Sequence, residues 1–242
     1  MFLKAEPLLN KILVEHQEHI RVGQTPLSVF DLDSTIFNVS HRTQNILQDF
    51  ARKEDIQRRF PKEAEILAGI QTQSEDWGIK DCLSRSGIRS TVDFFFQIRD
   101  FWVEHFFSNH YLEFDQPYPG SVEFVQRLHE QGSRVEYLTG RDRPRMGEGT
   151  AKVLKKWNLP LEGPNSSRLK MKPHQGLSDA DFKVDQLKQL KNQYPLVYFF
   201  ENEPVIIEKV EQHCPEVKVV FIDSVHSRRA DPPLHLPRIS LK

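Results

Sequence analysis

The chain has 242 residues, 38% of them hydrophobic and 28% charged, and its 33 basic and 34 acidic residues give a formal net charge of −1. This length suffices for one core and a smaller appended domain. The charge balance argues against a large surface for nucleic acids or anionic membranes, and no apolar run approaches the roughly 20 residues that cross a bilayer. The cysteines Cys82 and Cys214 lack metal-ligand spacing, and the amino terminus has no signal-peptide pattern, so we expect a protein of the reducing cytoplasm.

The first segments predict a helix followed by a buried strand. Apolar residues recur at helical spacing between residues 8 and 13, and the nearly continuous apolar run Leu27–Leu32 follows a break at 23–26. A run of this kind indicates a strand covered on both faces, as in parallel sheets, which bind ligands at the carboxyl ends of their strands. Asp31 and Asp33 stand at that end. Two unpaired buried carboxylates cost several kcal/mol, so we expect a divalent cation beside them.

Residues 37–117 interrupt this pattern with helix-like periodicity and no convincing strand. Eighty residues are too many for a loop, so we predict an inserted helical domain with crossings near residues 36–39 and 115–120. The stretch 94–114 is dense in aromatic residues at helical spacing. It is interpreted first as the core of the insert, and alternatively as a source of rings that line a pocket facing the site.

The remainder of the chain alternates between strand-like and helix-like segments. This alternation predicts an α/β fold, a three-layer Rossmann-like core with a central parallel sheet, and a smaller inserted α-helical cap domain. We expect the core to comprise residues 1–36 and 118–242 and the cap residues 37–117. The predicted strands are 135–139, 169–171, 196–200 and 217–222, and the predicted helices are 121–131, 147–157, 184–191 and 205–213.

Four pieces of the sequence resemble the four motifs of the haloacid dehalogenase superfamily, in its magnesium-dependent phosphatase branch. They occur in the order of that family, across about 170 residues, each at a predicted strand end or helix start. The pieces are Phe30-Asp-Leu-Asp-Ser-Thr35, Leu138-Thr-Gly-Arg141, Lys183 before Val184-Asp-Gln-Leu187, and Phe199-Phe-Glu-Asn-Glu-Pro204.

The resemblance implies roles for the two aspartates. Asp31 is expected to attack phosphorus and become an aspartyl phosphate, and Asp33 to protonate the departing alcohol and then deprotonate the hydrolytic water. Asp31, the backbone carbonyl of Asp33 and a carboxylate after the fourth strand are expected to hold Mg²⁺, a cation that prefers oxygen ligands.

Two further motifs supply the expected phosphate contacts. Thr139, Gly140 and Arg141 are expected to bind the substrate, Thr139 through a hydroxyl bond to a phosphoryl oxygen and Arg141 through a clamp on a second anionic group, unless this arginine is merely solvated. Lys183 is expected to offset negative charge on the nucleophile and phosphate. Lys172 is its rival, but the spacing of 18 residues between Lys183 and the acidic motif that follows favours Lys183.

The fourth motif departs from the pattern of the family, which usually has an aspartate after the fourth strand. Glu201 stands at that position and is the expected metal ligand, but Asn202 and Glu203 remain alternatives. The side chain of Glu201 is longer than that of aspartate but still reaches a cation. The departure therefore bears on metal affinity and rate more than on the type of reaction.

The resulting hypothesis is a Mg²⁺-dependent phosphohydrolase that cleaves a phosphate monoester of a small metabolite through an aspartyl-phosphate intermediate on Asp31. A small phosphorylated substrate is the expected partner, and neither a nucleic acid nor a membrane is expected. The alternative is a catalytically weak or inactive binding or regulatory protein that keeps the fold while Glu201 weakens catalysis.

Overall fold

The computed structural model describes residues 5–163 and 166–241 and contains a parallel sheet of six strands. The strands are β1 Leu27–Phe30, β4 Arg134–Asp142, β5 Leu169–Lys172, β6 Val197–Glu201, β7 Lys218–Asp223 and β8 Arg238–Ser240. Strand β1 lies near the centre of the sheet, in the order β5-β4-β1-β6-β7-β8, and every neighbouring pair is parallel. The predicted parallel sheet is therefore confirmed.

Helices cover both faces of this sheet, which gives the predicted three layers. These helices are α1 Glu6–Arg21, α7 Ser121–Glu130, α8 Arg143–Lys156, α9 Asp179–Lys191 and α10 Pro204–His213. Because side chains alternate between the two faces of a strand, Phe30 of β1 is buried in a core with α1, α7 and α8, and Val29 in a second core with α9 and α10. Crossovers between parallel strands place helices on the faces in this way.

The segment between residues 38 and 116 is helical and has a hydrophobic core of its own. Phe50, Leu67, Phe94 and Ile98 are among the residues buried in that core. The short antiparallel strands β2 Phe37–Asn38 and β3 Gln116–Pro117 pair at its two ends. The helices are α2 Ser40–Ala51, α3 Glu54–Arg59, α4 Pro61–Ala68, α5 Gly78–Arg85 and α6 Val92–Phe106, followed by a 3-10 helix, His110–Phe114. The division into a core and a cap at residues 36/37 and 117/118 stays a prediction.

The observed elements differ from the expected ones in several places, among them the longer β4 and the short strands β2 and β3 at the ends of a segment where no strand was predicted. Helix α8 begins four residues early because the Asp142 side chain caps it, accepting a hydrogen bond from the Arg145 amide at 3.1 Å. Helix α9 begins at Asp179 because Ser178 caps it in the same way. Strand β8 was not predicted, since three residues after a proline-rich stretch carry little pattern. Within the described ranges, every helix is too short or too polar to cross a membrane.

Candidate active site

The carboxyl ends of β1 and β6 bring two acidic side chains to one buried lysine. The Asp31 amide still follows the sheet, donating to the Phe200 carbonyl at 3.0 Å, so the Asp31 side chain lies beside the end of β6. Lys183 Nζ, from α9, lies 2.5 Å from Asp31 Oδ1 and 2.6 Å from Glu201 Oε2. All three side chains are at least nine-tenths buried. One ammonium therefore bridges two carboxylates.

This triad of Asp31, Lys183 and Glu201 is unbalanced in charge. Burial raises the pKa of Asp31 to about 7, and the Glu201 carboxylate adds to this, although the Lys183 ammonium opposes it. Burial alone would lower the pKa of Lys183, but the two carboxylates outweigh it and raise that pKa above its ordinary value. Two carboxylates and one ammonium leave one negative charge in excess when all are ionised.

The second aspartate of the motif is held by two arginines. Arg141 donates to both oxygens of Asp33, at 2.9 and 2.8 Å, and Arg42 Nη2 donates to Asp33 Oδ1 at 2.7 Å. Burial would raise the pKa of the Asp33 carboxyl, but the guanidinium groups of Arg141 and Arg42 outweigh it and hold that pKa well below its usual range. Asp33 is thus anionic, with both oxygens engaged.

A second acid, Asp115, completes this network. Its Oδ2 accepts from Arg42 Nη2 at 2.6 Å and from Arg141 Nη2 at 2.7 Å, and its side chain is fully buried. Two arginines and two aspartates make Asp33, Arg42, Asp115 and Arg141 neutral as a group. Arg42 and Asp115 were not among the predicted site residues, because nothing in their local sequence distinguishes a buried charged residue from a solvated one.

Arg141 is held by internal acceptors and also lines the cavity described below. The guanidinium contacts Asp33, Asp115 and Thr150, and the residue is only 3% exposed. It is therefore not a solvated surface residue. The clamp on a second anionic group that is expected of Arg141 stays a prediction.

The neighbours of Arg141 in the second motif occupy the end of β4. Thr139 is fully buried, and its Oγ1 accepts a hydrogen bond from the Arg141 amide at 3.3 Å. Gly140 lines the cavity described below, and a Cβ atom added to it would lie 2.5 Å from Asp179 Oδ2, closer than non-bonded atoms approach. A side chain at position 140 would therefore displace the Asp179 carboxylate. The substrate contacts expected of Thr139 and Gly140 stay predictions.

The two candidate lysines have different partners. Lys183 contacts Asp31, whereas Lys172 Nζ contacts Asp179 Oδ1 at 2.6 Å and the Leu177 carbonyl at 2.9 Å. The geometry thus supports the preference for Lys183 that the spacing to Glu201 indicated.

The three candidates of the fourth motif are also distinguished by their contacts. Asn202 Nδ2 donates to the Val225 carbonyl at 2.6 Å, and Glu203 accepts from the Ser227 amide and hydroxyl at 2.9 and 2.6 Å. Both side chains therefore bind the loop after β7. Glu201 is the one of the three that shares Lys183 with Asp31.

The residues present fit a magnesium ion in chemistry and in charge. Within the part of the chain that the structure describes, no group of three histidine, cysteine or acidic side chains is arranged to hold a metal. The carboxylates of Asp31 and Glu201 nevertheless converge, and their triad with Lys183 carries one excess negative charge when all three groups are ionised, which a divalent cation relieves. A third oxygen has to come from the backbone, where the resemblance implies the Asp33 carbonyl.

A cavity of about 900 Å³ opens over these groups. Its lining includes Asp31, Asp33, Lys183 and Glu201 from the sheet side. The helical segment contributes a set of aromatic side chains to the same cavity, namely Trp77, Trp102, Phe106 and Phe107. Both interpretations of the aromatic stretch thus hold in part, because Phe94 and Ile98 are buried in the core of the helical segment.

Comparison with known proteins identifies the family. The family model described as haloacid dehalogenase-like hydrolase matches residues 27–201, and no curated protein matches the sequence significantly. A haloacid dehalogenase-like hydrolase from Streptococcus pneumoniae is similar in structure, with a TM-score of 0.52 and 11% identity over 90% of this chain and 94% of that one. Protein tyrosine kinase A from Mycobacterium tuberculosis has a TM-score of 0.54 and 10% identity over 89% and 93%. At these identities the two structures support the fold alone. Since the family model covers well over half of its length, the chain belongs to the haloacid dehalogenase-like hydrolases.

Proposed function

We propose that this hydrolase cleaves phosphate monoesters in a Mg²⁺-dependent reaction with Asp31 as the nucleophile. The observation that carries the proposal is the convergence of Asp31, Lys183 and Glu201 at the carboxyl edge of the sheet, beneath a cavity large enough for a small metabolite. Phosphoryl transfer needs a positioned nucleophile and compensation for negative charge, and these groups supply both.

The reaction proceeds in two displacements. An Asp31 oxygen attacks phosphorus, the bond from phosphorus to the ester oxygen breaks, and the departing alkoxide takes a proton from Asp33. Water then attacks the phosphorus of the aspartyl phosphate and gives its proton to Asp33, which releases inorganic phosphate and restores Asp31. Lys183 offsets negative charge on Asp31 and on the phosphoryl group.

Magnesium would be held by the carboxylates of Asp31 and Glu201 and the backbone carbonyl of Asp33. When bound, it neutralises charge on the phosphoryl oxygens. The protein residues orient the ester and move the protons. With Lys183 already between the two carboxylates, the ion has to share them with this ammonium.

Asp33 has to leave part of its present network before it can act as an acid. Both of its oxygens accept hydrogen bonds from arginines, and the two guanidinium groups hold its pKa low, so protonation is favoured only when one of them moves away. Arg42 lies on α2, in the predicted cap, whereas Arg141 lies on β4 of the sheet. We therefore infer that movement of α2 withdraws Arg42 from Asp33 and so raises the pKa of this carboxyl, and that residues 37–117 act as a cap which closes over a small phosphorylated substrate.

The alternative is a binding protein with little or no catalytic activity. One observation favours it: Asp33 is ion-paired on both oxygens, so a rigid protein would lack a general acid. The two hypotheses differ in one measurable property, since only the phosphatase has a Mg²⁺-dependent activity that depends on Asp31.

The test is a screen for release of inorganic phosphate from a panel of phosphorylated metabolites, with Mg²⁺ and with a chelator. The variant Asp31→Asn is compared with Asp185→Asn, which alters an exposed aspartate on α9. We expect Mg²⁺-dependent release by the wild type and by Asp185→Asn, with a loss of about a thousandfold or more in Asp31→Asn. Absence of release from every ester in the presence of Mg²⁺ would contradict the phosphatase and favour the binding protein.

A further inference from the structure

The cavity has two chemically different walls. The sheet side carries the carboxylates and Lys183, whereas the side formed by the helical segment carries four aromatic rings. Phosphate itself needs only the polar wall. The aromatic wall therefore bears on the remainder of the substrate, the alcohol that leaves with the ester oxygen.

Three of these rings are already packed by the protein, in contrast to Trp77, and the Phe107 ring centroid lies 6.4 Å from that of Trp102 and 5.1 Å from that of Phe106. Trp102 and Phe106 lie with their ring centroids 4.6 Å apart, and the Arg42 guanidinium covers Phe106 at 4.4 Å from its centroid. Trp77 stays 45% exposed while lining the cavity, and in the described part of the chain no aromatic ring packs against it. Trp77 is thus the cavity-lining ring whose face is accessible to a substrate.

The backbone at Trp77 is fixed in a way that keeps the ring at the cavity. The Trp77 amide donates to Asp81 Oδ2 at 3.0 Å at the start of α5. Gly78 follows with φ +59°, in the left-handed region that favours glycine, and a Cβ at this position would touch the Trp102 ring at 3.6 Å. The turn at Gly78 therefore presents Trp77 at the same opening that leads to Asp31.

The exposed indole of Trp77, at the edge of the cavity, is stabilised when a planar group stacks on it. Leaving a tryptophan ring in water forgoes the burial of apolar area, and stacking on a planar ring recovers it at little cost in conformational entropy. A nucleobase has such a face, whereas a short polyol does not. The cavity of about 900 Å³ also exceeds the space that a phosphorylated triose or tetrose fills.

We propose that the substrates are phosphate monoesters whose alcohol carries a flat aromatic or heteroaromatic ring, as nucleoside monophosphates do, and that Trp77 stacks on that ring. This inference rests on the proposed phosphatase function and specifies its substrate class. Trp77 is a specificity-determining residue here, since it contacts the leaving group and none of the reacting atoms.

The test compares adenosine and uridine 5′-monophosphate with ribose 5-phosphate, which lacks only the base. We expect at least one nucleotide to exceed ribose 5-phosphate about tenfold or more in kcat/KM, mainly through KM. Trp77→Ala should remove about this factor for the nucleotide while changing ribose 5-phosphate less than about twofold, and Trp77→Phe should restore most of it. Phe96→Ala, at an exposed aromatic residue of α6 outside the cavity, is the matched control and should change neither. Equal kcat/KM for all three esters, or an equal loss for all of them in Trp77→Ala, would overturn the inference.

A binding measurement separates this inference from the phosphatase proposal. Calorimetric titration of Asp31→Asn with the same three compounds needs no turnover. Tighter binding of a nucleotide that is lost in the double variant with Trp77→Ala supports the ring site even if the wild type hydrolyses nothing. Equal affinity for all three compounds, or no binding of any, overturns the ring site even if the wild type is an active phosphatase.

Discussion

The guanidinium of Arg42 binds both carboxylate oxygens of Asp115, with Nε 2.8 Å from Oδ1 and Nη2 2.6 Å from Oδ2, and neither side chain reaches solvent. Arg42 lies near the start of the helical segment and Asp115 at its end. The pair therefore ties the two ends of the segment together, next to the site. Paired and geometrically matched, the charges are tolerated, but removing either one would leave the network with Asp33 and Arg141 one buried charge out of balance.

A double-mutant cycle on this pair should report a large coupling. Arg42→Met and Asp115→Asn should each lower the free energy of unfolding by about 3 to 5 kcal/mol, because each leaves the buried network of four residues with one uncompensated charge. The double variant should lose about 2 kcal/mol less than the sum, since both charges are then absent. Urea denaturation measures all four proteins.

The exposed pair Arg59 and Asp93 is the matched control for this cycle. Its two side chains are 47% and 60% exposed, and it has one contact, at 2.7 Å, where the buried pair has two. Its coupling should stay below about 1 kcal/mol. A coupling no larger for Arg42 and Asp115 would contradict the account of the buried network.

Removing the ammonium from the triad should also destabilise the fold. Lys183→Met leaves Asp31 and Glu201 as neighbouring buried carboxylates without a cation. In the presence of a chelator, we therefore expect the free energy of unfolding to fall by about 3 to 5 kcal/mol. Lys188→Met, at an exposed position of the same helix, should change it by less than about 0.5 kcal/mol. Chemical denaturation at neutral pH measures both, and equal stabilities of the two variants would refute the role of Lys183.

A histidine far from the cavity should make stability depend on pH. His16 is fully buried between Ser133 and Ser28, at 2.8 and 3.3 Å, and burial lowers its pKa from 6.5 to about 4. The unfolded chain binds the proton below pH 6.5 whereas the folded one does not. Stability is therefore complete above this pH and falls as the pH drops towards 4, by about 3 kcal/mol from this group.

The measurement is the free energy of unfolding at pH 7 and at pH 4 for the wild type, His16→Gln and His213→Gln. His213 lies exposed at the end of α10 and serves as the control. The difference between the two pH values should shrink by about 3 kcal/mol in His16→Gln and stay near the wild-type value in His213→Gln. An unchanged difference in His16→Gln would show that this histidine does not titrate as its burial requires.

The sheet was predictable because each of its inner strands is a local signal. An apolar run between turn residues determines β1, β4, β6 and β7 without reference to the rest of the chain. Strand β8 escaped because its three residues owe their pairing to β7 rather than to their own pattern. The early starts of α8 and α9 depend on single capping side chains, Asp142 and Ser178, which also occur in ordinary loops.

The candidate site was predictable where residues are adjacent to a strand end. Asp31 and Glu201 lie at the ends of neighbouring parallel strands, and the spacing of Lys183 before Glu201 allowed the third group of the triad to be predicted from the sequence. Arg42 and Asp115 lie far from one another in sequence and become neighbours only when the helical segment folds. Long-range pairs of that kind produce no local sequence pattern, so the neutral network around Asp33 is apparent only in the folded structure.

We propose that Asp31 carries the phosphoryl group during turnover. Acid quenching of the enzyme during hydrolysis of its best ester with Mg²⁺, followed by mass spectrometry of the peptides, tests this directly. We expect one phosphoryl group on the peptide that contains Asp31 in the wild type and none in Asp31→Asn. Sustained release of phosphate with no phosphoryl group on Asp31, or with the group on another residue, would contradict it.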